Sequence, residues 1–480
     1  MTVVAGERGL VEVVGTWAAE VDPPPAVRAS VRRRILDIAG LCLAAHPLDT
    51  SAPVRDFVAA QGGAPQARAV GLAEPVPAAQ AAFVNGVLAH SLDYDDTHLP
   101  SVLHPSASVI PAALAAAERV GASGRDLVRA VAVGLEVCVR LGMVGYDRDR
   151  RQSIYFEHGQ HATSICGAIG GAAAAALLVA PDRAGPATTA DTVAHSMGIA
   201  VSMASGVIEA NRTGGTVKRL HCGWAAHAAV TAAELAAAGI TGAPTALEGR
   251  FGFGQAFLRG EVRWDEVTDG LGERWEVPRI AFKPYPANHF THAGIDAALA
   301  LRARGIATAD IHRLQLGVAA PTVRTIGDPI DVKRTPGTGY QAQFSGPYTV
   351  VAGLLGGGGL GLGLDDFTDA LARDPQRRAL MARVEVVADE RCDAIYPDHF
   401  PAVLTAELAD GSSVVEQVLT NRGTAERPLS DDELTTKFRD NAARVVPADH
   451  AAEIERAVAD LDRPGSLAAS VLRPTVHLKR

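Results

Sequence analysis

At 480 residues, 48% of them hydrophobic and 21% charged, the chain has the composition of a globular protein. It is long enough for two hydrophobic cores, since one core rarely grows past about 250–300 residues. A net charge of −9 and a pI near 5.9 argue against a nucleic-acid partner or an anionic-membrane surface, yet allow a small anion to be held by a few buried cations.

The first ten residues carry Glu7 and Arg8 and no apolar run, so no signal peptide is expected. Cys42, Cys138, Cys166, Cys222 and Cys392 are widely spaced without a C-x-x-C pair. That spacing argues against a disulfide framework, a zinc ribbon or an iron–sulfur site, and fits a reduced, cytoplasmic setting. From Val11 to about Gly239 the periodicity predicts helices at Ala26–Ala45, Pro77–Leu92, Ser106–Val120, Arg125–Met143, His161–Leu178 and Leu220–Ala238. Alanine and glycine fill much of their apolar quota and aromatics are only 5%, so closely packed helices are expected. Ala162–Ala180 is uncharged and long enough to span a bilayer. It is made mostly of Ala, Gly, Ser and Thr and stops at Pro181-Asp182-Arg183 without an aromatic belt, which reads as a buried core helix and not a membrane span.

Past about Trp275 the texture changes. Leu314, Leu316 and Val318 alternate with polar residues or glycine, Ala382–Ala388 does the same, and Val403–Leu408 and Val414–Leu419 flank the turn signal Asp410-Gly411. Helices are expected between the strands at Thr291–Arg304 and Asp366–Ala372. The glycines Gly356–Gly359, Gly361 and Gly363 read as a flexible connector and not a phosphate loop, since no strand precedes them and no G-K-[ST] follows. Ser430 and Glu433 have capping-box spacing ahead of Leu434–Val445. The predicted fold is mainly α: a helical domain over 1–274, an inserted smaller α+β domain over 275–427, and C-terminal helices over 428–480 that rejoin the first.

Polar residues are concentrated in five places. His90, Asp93, Asp95, Asp96, Thr97, His98 and His104-Pro105-Ser106 put three carboxylates and three histidines within fifteen positions, which is costly near an apolar helix unless the groups are paired or used. If the helix continues, Asp93, Thr97 and His90 share a face; the plain alternative is a solvated acidic turn. A magnesium or manganese site is a rival reading of these oxygens and imidazoles. Asp93-x-Asp95-x-Thr97 also matches an aspartyl-phosphate phosphohydrolase string, but that chemistry needs the first Asp at a strand tip. Second, His158 and His161-x-Thr163 open the apolar helix and are not H-E-x-x-H; His158 is expected to be a hydrogen-bonded structural histidine. Third, Gly214-Gly215 precede Lys218 and Arg219 at a helix start, a carboxylate cradle or simply a surface basic pair. Fourth and fifth are Lys283-Pro284-Tyr285-Pro286 with His289 and His292, and Gln343-Phe344-Ser345-Gly346-Pro347-Tyr348.

In order and spacing these segments together resemble the MmgE/PrpD family, whose members include 2-methylcitrate dehydratase, cis-aconitate decarboxylase and an iminodisuccinate epimerase. Asn85-Gly86, His161-x-Thr163, Gly215-x-x-Lys218, Lys283-Pro-Tyr-Pro, Ala342-Gln-Phe-Ser345 and Pro428-Leu-Ser430 with Lys437-Phe438 carry the likeness along nearly the whole chain. The resemblance implies a dimer of a helical domain with an α+β lid, and an active site between the domains that needs no metal or organic cofactor. It places Asp93, Thr97, His104, His161, Lys218, Lys283 and Tyr348 on site positions, with Arg219, His289 and His292 as further substrate-binding candidates. Two departures bear on the substrate: Asp95-Asp96-Thr97 replaces an N-D-T ending associated with the dehydratases, and Ala287-Asn288 stands where many relatives have two cysteines.

The resulting expectation is a cofactor-free lyase that dehydrates or decarboxylates a small di- or tricarboxylate. Lys218 and Lys283 hold carboxylates, His104 or His161 moves the proton, Asp93 orients a histidine or a hydroxyl, and Thr97 and Tyr348 donate hydrogen bonds. An epimerase using the same residues is the alternative, with a non-catalytic ligand-binding relative behind it.

Overall fold

A computed structural model of the chain describes residues 8–180, 186–210 and 215–473. The fold is mainly helical with small sheets, and it divides into two compact units: Met1–Arg279 with Phe438–Arg480, and Ile280–Lys437.

In the helical unit the Ala162–Val179 helix is the central element. The helices Ser106–Val120, Gly124–Val144, Pro186–Met203 and Leu220–Ala237 all pack on it. Its length and composition would let it cross a membrane, but 89% of it is buried among these neighbours, as expected of a core helix. Small residues set the spacing. A Cβ added at Gly134 would lie 2.7 Å from the Gly170 carbonyl oxygen, so those two helices touch backbone to backbone. The Ala78–His90 and Leu220–Ala237 helices cross in the same way, a Cβ at Gly86 falling 2.8 Å from the Cα of Gly223.

Helices expected at Ala26–Ala45, Ser106–Val120, Arg125–Met143, His161–Leu178 and Leu220–Ala238 are found at Pro25–Ala45, Ser106–Val120, Gly124–Val144, Ala162–Val179 and Leu220–Ala237. The helix expected over Pro77–Leu92 ends instead at His90. There the Ser91 hydroxyl turns back to donate to the Val87 carbonyl at 2.6 Å, and Asp93 takes a left-handed backbone, φ 51°. Asp93 and Thr97 therefore do not share a helix face.

The second unit is built on a four-stranded mixed sheet of β1 (Ile311–Val318), β2 (Val384–Ala388), β3 (Ala402–Leu408) and β4 (Ser413–Val418), in the order β2-β1-β3-β4. β1 is parallel to β2, with Leu314 beside Val384, and antiparallel to β3, with Leu314 beside Ala406. The β3–β4 hairpin turns at Asp410-Gly411, where the Asp410 carboxylate accepts from the Ser412 amide and Gly411 takes φ 85°. The helices His292–Ala303 and Gly346–Leu355 close one core with the sheet through Ile295, Leu301, Leu314, Leu316, Val350 and Leu404.

Two expectations for this unit are corrected. Asp366–Ala372 is not one helix but a 3-10 turn, Leu364–Asp366, followed by a single turn, Asp369–Ala372, capped by the Thr368 hydroxyl. The helix is interrupted because the Asp366 carboxylate accepts from the amides of Gly358 and Gly363, at 3.0 and 2.8 Å. For the same reason the glycine run is no loose connector: it is folded around Asp366. The Ser430–Glu433 capping box forms, each side chain bonding the other's amide, and starts the helix Asp431–Ala442.

Candidate active site

Three segments of the helical unit bring the polar residues together: the loop after the Ala78–His90 helix, the start of the Ala162–Val179 helix, and the 3-10 turn Val217–Arg219. The loop is buried from Ser91 to Ser101, with Val102 and His104 half-buried, which overturns the solvated-turn alternative. Each of its carboxylates faces a cation or an imidazole. Asp93 pairs with Lys218 Nζ at 3.4 Å, Asp95 with His90 Nδ1 at 2.7 Å, and Asp96 with Arg34 Nη1 at 2.7 Å. Asp93 also lies in a loop following a helix, away from any strand tip, so the phosphohydrolase geometry is absent at this string.

Asp96 organises the loop. Its carboxylate accepts from the Ser106 hydroxyl at 2.5 Å and amide at 3.3 Å as well as from buried Arg34. Its carbonyl oxygen lies 2.7 Å from His104 Nδ1, with Thr97 Oγ1 beside that nitrogen at 3.2 Å. A carbonyl can only accept, so His104 carries a proton on Nδ1. Thr163 holds the same residue by its backbone, Oγ1 accepting from the His104 amide at 3.2 Å.

Behind His104 the imidazoles form an array. Ring centroids are 5.6 Å apart between His104 and His90, 5.8 Å between His90 and His161, and 5.0 Å between His161 and His221. His161 caps the Ala162–Val179 helix, and its Nδ1 lies 3.0 Å from Nδ1 of His221. Burial, followed by the charges of His90, Lys218, His221 and His104, pushes the His161 pKa well below the ordinary 6.5. Burial with His90 and Lys218 takes His221 down to about 4. Both rings are therefore neutral at pH 7, and one donates to the other.

Of the residues singled out in the sequence, Asp93, Thr97, His104, His161, Lys218 and Arg219 belong to this one constellation; Arg219 Nε donates to the Ser91 carbonyl at 3.3 Å. Gly214 lies outside the described residues. His98 is turned away into a separate network with Ser101 and Glu276. His158 bonds the Phe257 carbonyl, the structural role expected of it. His90, Asp95 and His221 also belong to the constellation, beyond the site residues expected from sequence. The available signal was a histidine inside each of two alanine-rich helices, Ala78–His90 and Leu220–Ala237, where an apolar residue would pack more cheaply.

Lys283, His289, His292 and Tyr348 belong to the second unit. Lys283 is fully buried and follows Phe282, whose amide donates to the Gly423 carbonyl at 3.0 Å. The His289 and His292 rings are 4.5 Å apart, and His292 Nε2 donates to the Ala287 carbonyl at 3.1 Å. The Tyr348 hydroxyl donates to the Asp366 carbonyl at 2.5 Å, and burial raises its pKa to about 12. A hydrogen bond from Tyr348 to a substrate requires that contact to be exchanged. Among the described residues, no group of three His, Cys, Asp or Glu side chains is arranged to hold a metal ion.

The MmgE/PrpD N-terminal domain matches residues 11–265 and the MmgE/PrpD C-terminal domain matches residues 285–463, so the two together cover most of the chain. The chain belongs to the MmgE/PrpD family. Among MmgE/PrpD relatives, the cis-aconitate decarboxylase of Homo sapiens is 30% identical over 403 residues, covering 81% of this chain and 77% of the relative. That of Mus musculus is 30% identical over 391 residues, 78% and 74% of the two chains. That of Aspergillus terreus is 27% identical over 411 residues, 82% and 81%. The His104 loop, the His161 cap and the Lys218 turn all fall within the matched N-terminal domain of this MmgE/PrpD chain.

Proposed function

We propose that this MmgE/PrpD chain is a lyase that removes CO₂ from a small unsaturated polycarboxylate of the cis-aconitate type, without a metal or organic cofactor. The observation that carries the reading is a cation, Lys218, paired with Asp93 in the same constellation as His104, whose tautomer is fixed by the Asp96 carbonyl. The similarity to three cis-aconitate decarboxylases favours decarboxylation over dehydration.

In this reading Lys218 holds a substrate carboxylate and stabilises the charge that develops when the carbon–carboxylate bond breaks. The bonding pair is left on the substrate carbon skeleton, CO₂ departs, and His104, entering the step doubly protonated, gives its Nε2 proton to that carbon and becomes neutral with the Nδ1 proton retained. His161 stays neutral and serves as a hydrogen-bonding partner, since carrying charge is opposed by its burial and by the cations around it. Thr97 helps to orient His104. Lys283, Tyr348, Arg219, His289 and His292 keep the substrate-binding roles that the family resemblance implies, and a homodimer with the α+β unit as a lid remains the proposed assembly.

The test is EDTA-treated protein with cis-aconitate in D₂O, followed by NMR. Decarboxylation gives CO₂ and one deuterium per product molecule. Water addition, or exchange without CO₂ release, would replace this reading by a hydratase or an epimerase. No reaction with cis-aconitate under any metal supplement would remove that substrate.

A further inference from the structure

His161, which caps the Ala162–Val179 helix, is itself held by a short strap of chain, residues 206–208. The strap runs antiparallel beside residues 159–161, with Gln160 bridged to Val207. The His161 amide donates to the Gly206 carbonyl at 3.0 Å, and the Ile208 amide donates to the Gly159 carbonyl at 3.0 Å. An N-cap amide has no acceptor within its own helix, so the strap supplies the partner that a buried N–H requires. Glycine is needed opposite. Gly206 has φ 142°, and a Cβ there would stand 3.2 Å from the Cβ of His161 and 3.0 Å from that of Ser164. Ser164 extends the bracket to the second ring of the pair. It is buried, its amide donates to the His161 carbonyl at 3.0 Å, and its hydroxyl crosses to another helix to donate to the His221 carbonyl at 3.1 Å. The backbone of each imidazole is therefore tied where their Nδ1 atoms meet at 3.0 Å, His161 through Gly206 and His221 through Ser164. Ring packing tolerates a shift of about half an ångström, but an N–H···N bond stretched to about 3.6 Å is lost.

We propose that Gly206 and Ser164 are positioning residues for the reaction: together they hold His161 and His221 at bonding distance, so that His161 keeps one tautomer in the site. Both act through His161. The effect on turnover rests on the decarboxylase reading, whereas the geometry belongs to the resting protein and is tested there without substrate.

The variant S164A removes one hydroxyl and little volume. In ¹⁵N-histidine-labelled wild-type protein, a nitrogen–nitrogen coupling across the hydrogen bond between His161 and His221 is expected, and S164A should lose it. Its kcat should fall about 10-fold at unchanged KM. G206A, which sets a methyl against both side chains in a strained backbone, should also lose the coupling and turn over about 100-fold more slowly. Absence of the coupling in the wild type overturns the proposal. So does a coupling that survives in either variant, whether or not turnover falls, and so does wild-type turnover in a variant that has lost it. Where a variant does not fold, hydrogen exchange of the wild-type His161 amide decides. Protection equal to that of the helix it caps supports the strap bond, and exchange at the rate of open chain ends it. If the wild-type protein leaves cis-aconitate untouched, the decarboxylase reading has failed on its own, and the coupling in resting wild type and S164A still decides the positioning.

Discussion

His161 and His221 face each other nitrogen to nitrogen, Nδ1 to Nδ1, at 3.0 Å. Neither can keep this contact if both carry the proton there, so the tautomer of one ring dictates that of the other. Removing His221 leaves a buried nitrogen of His161 unsatisfied, at a cost of about 1–3 kcal/mol. If that cost falls on the transition state, H221A lowers kcat roughly 10- to 100-fold with little change in KM. H221N, which can still donate from the Nδ1 position, is expected to recover most of the loss. Steady-state kinetics of the two variants checks this, and equal damage in both would deny the tautomer coupling.

Replacing His104 removes the proposed proton donor itself. H104A is expected to reduce kcat by about 10²–10⁴-fold while substrate still binds, as ligand-observed NMR would report. Turnover within threefold of wild type would disqualify His104.

Lys218 is predicted to act through charge. K218M should raise KM at least tenfold and weaken inhibition by small dicarboxylates, because the remaining Asp93 carboxylate repels an anion. The double variant K218M/D93N is expected to bind better than K218M. Inhibition constants at low salt measure both effects, and identical constants for the two variants would contradict the pairing.

Arg34 and Asp96 are a buried ion pair, and the stability of the His104 loop depends on it. Breaking such a pair on one side typically costs about 3–5 kcal/mol. D96A therefore lowers the urea midpoint clearly, whereas D96N, which keeps one acceptor for Arg34 and Ser106, loses less.

The neutral histidines set an acid limit. His161 and His221 bind a proton in the unfolded chain near pH 6.5 but in the folded protein only well below that, near 4 for His221. The unfolded state gains protons first, so stability is full above pH 6.5 and falls as pH drops toward 5. His90, His104 and Lys218 surround the pair and act in the same direction. The expected loss is on the order of 2 kcal/mol over that interval, allowing for partial screening by solvent. Glu276 cannot cause it. Burial opposes its ionisation, but His98, Arg279 and Arg274 outweigh that and hold its pKa near 2, so its contribution fades only in stronger acid. Chemical melts at pH 7, 6 and 5 give the slope, and H221N should flatten it.

Much of this molecule could be read from sequence because its helices are long, alanine-rich and sharply punctuated; the Ser106–Val120 helix was placed to the residue. The β3–β4 hairpin was legible for the same reason, in its alternation and its Asp410-Gly411 turn. What could not be read is tertiary. Nothing local shows that Ser91 will turn its hydroxyl back on Val87 and end a helix early, or that Asp366 will gather a glycine loop around itself. The partners of His90 and His161 were hidden for a related reason. Asp95 is five residues from His90 along a loop of irregular geometry, and His221 is sixty residues from His161, brought near only by the packing of two helices.

The Gly86–Gly223 crossing fixes the separation between the helix that ends at His90 and the helix that carries His221. The two glycines at this joint have no rotamers to redistribute on warming, and the β-branched Val87 beside Gly223 has few. The gap between the two imidazoles it governs should therefore expand hardly at all with temperature, and an Arrhenius plot of turnover should stay straight until the helices themselves melt. A single methyl placed there, as in G86A, would pry both histidines apart from a position more than one helical turn from His90.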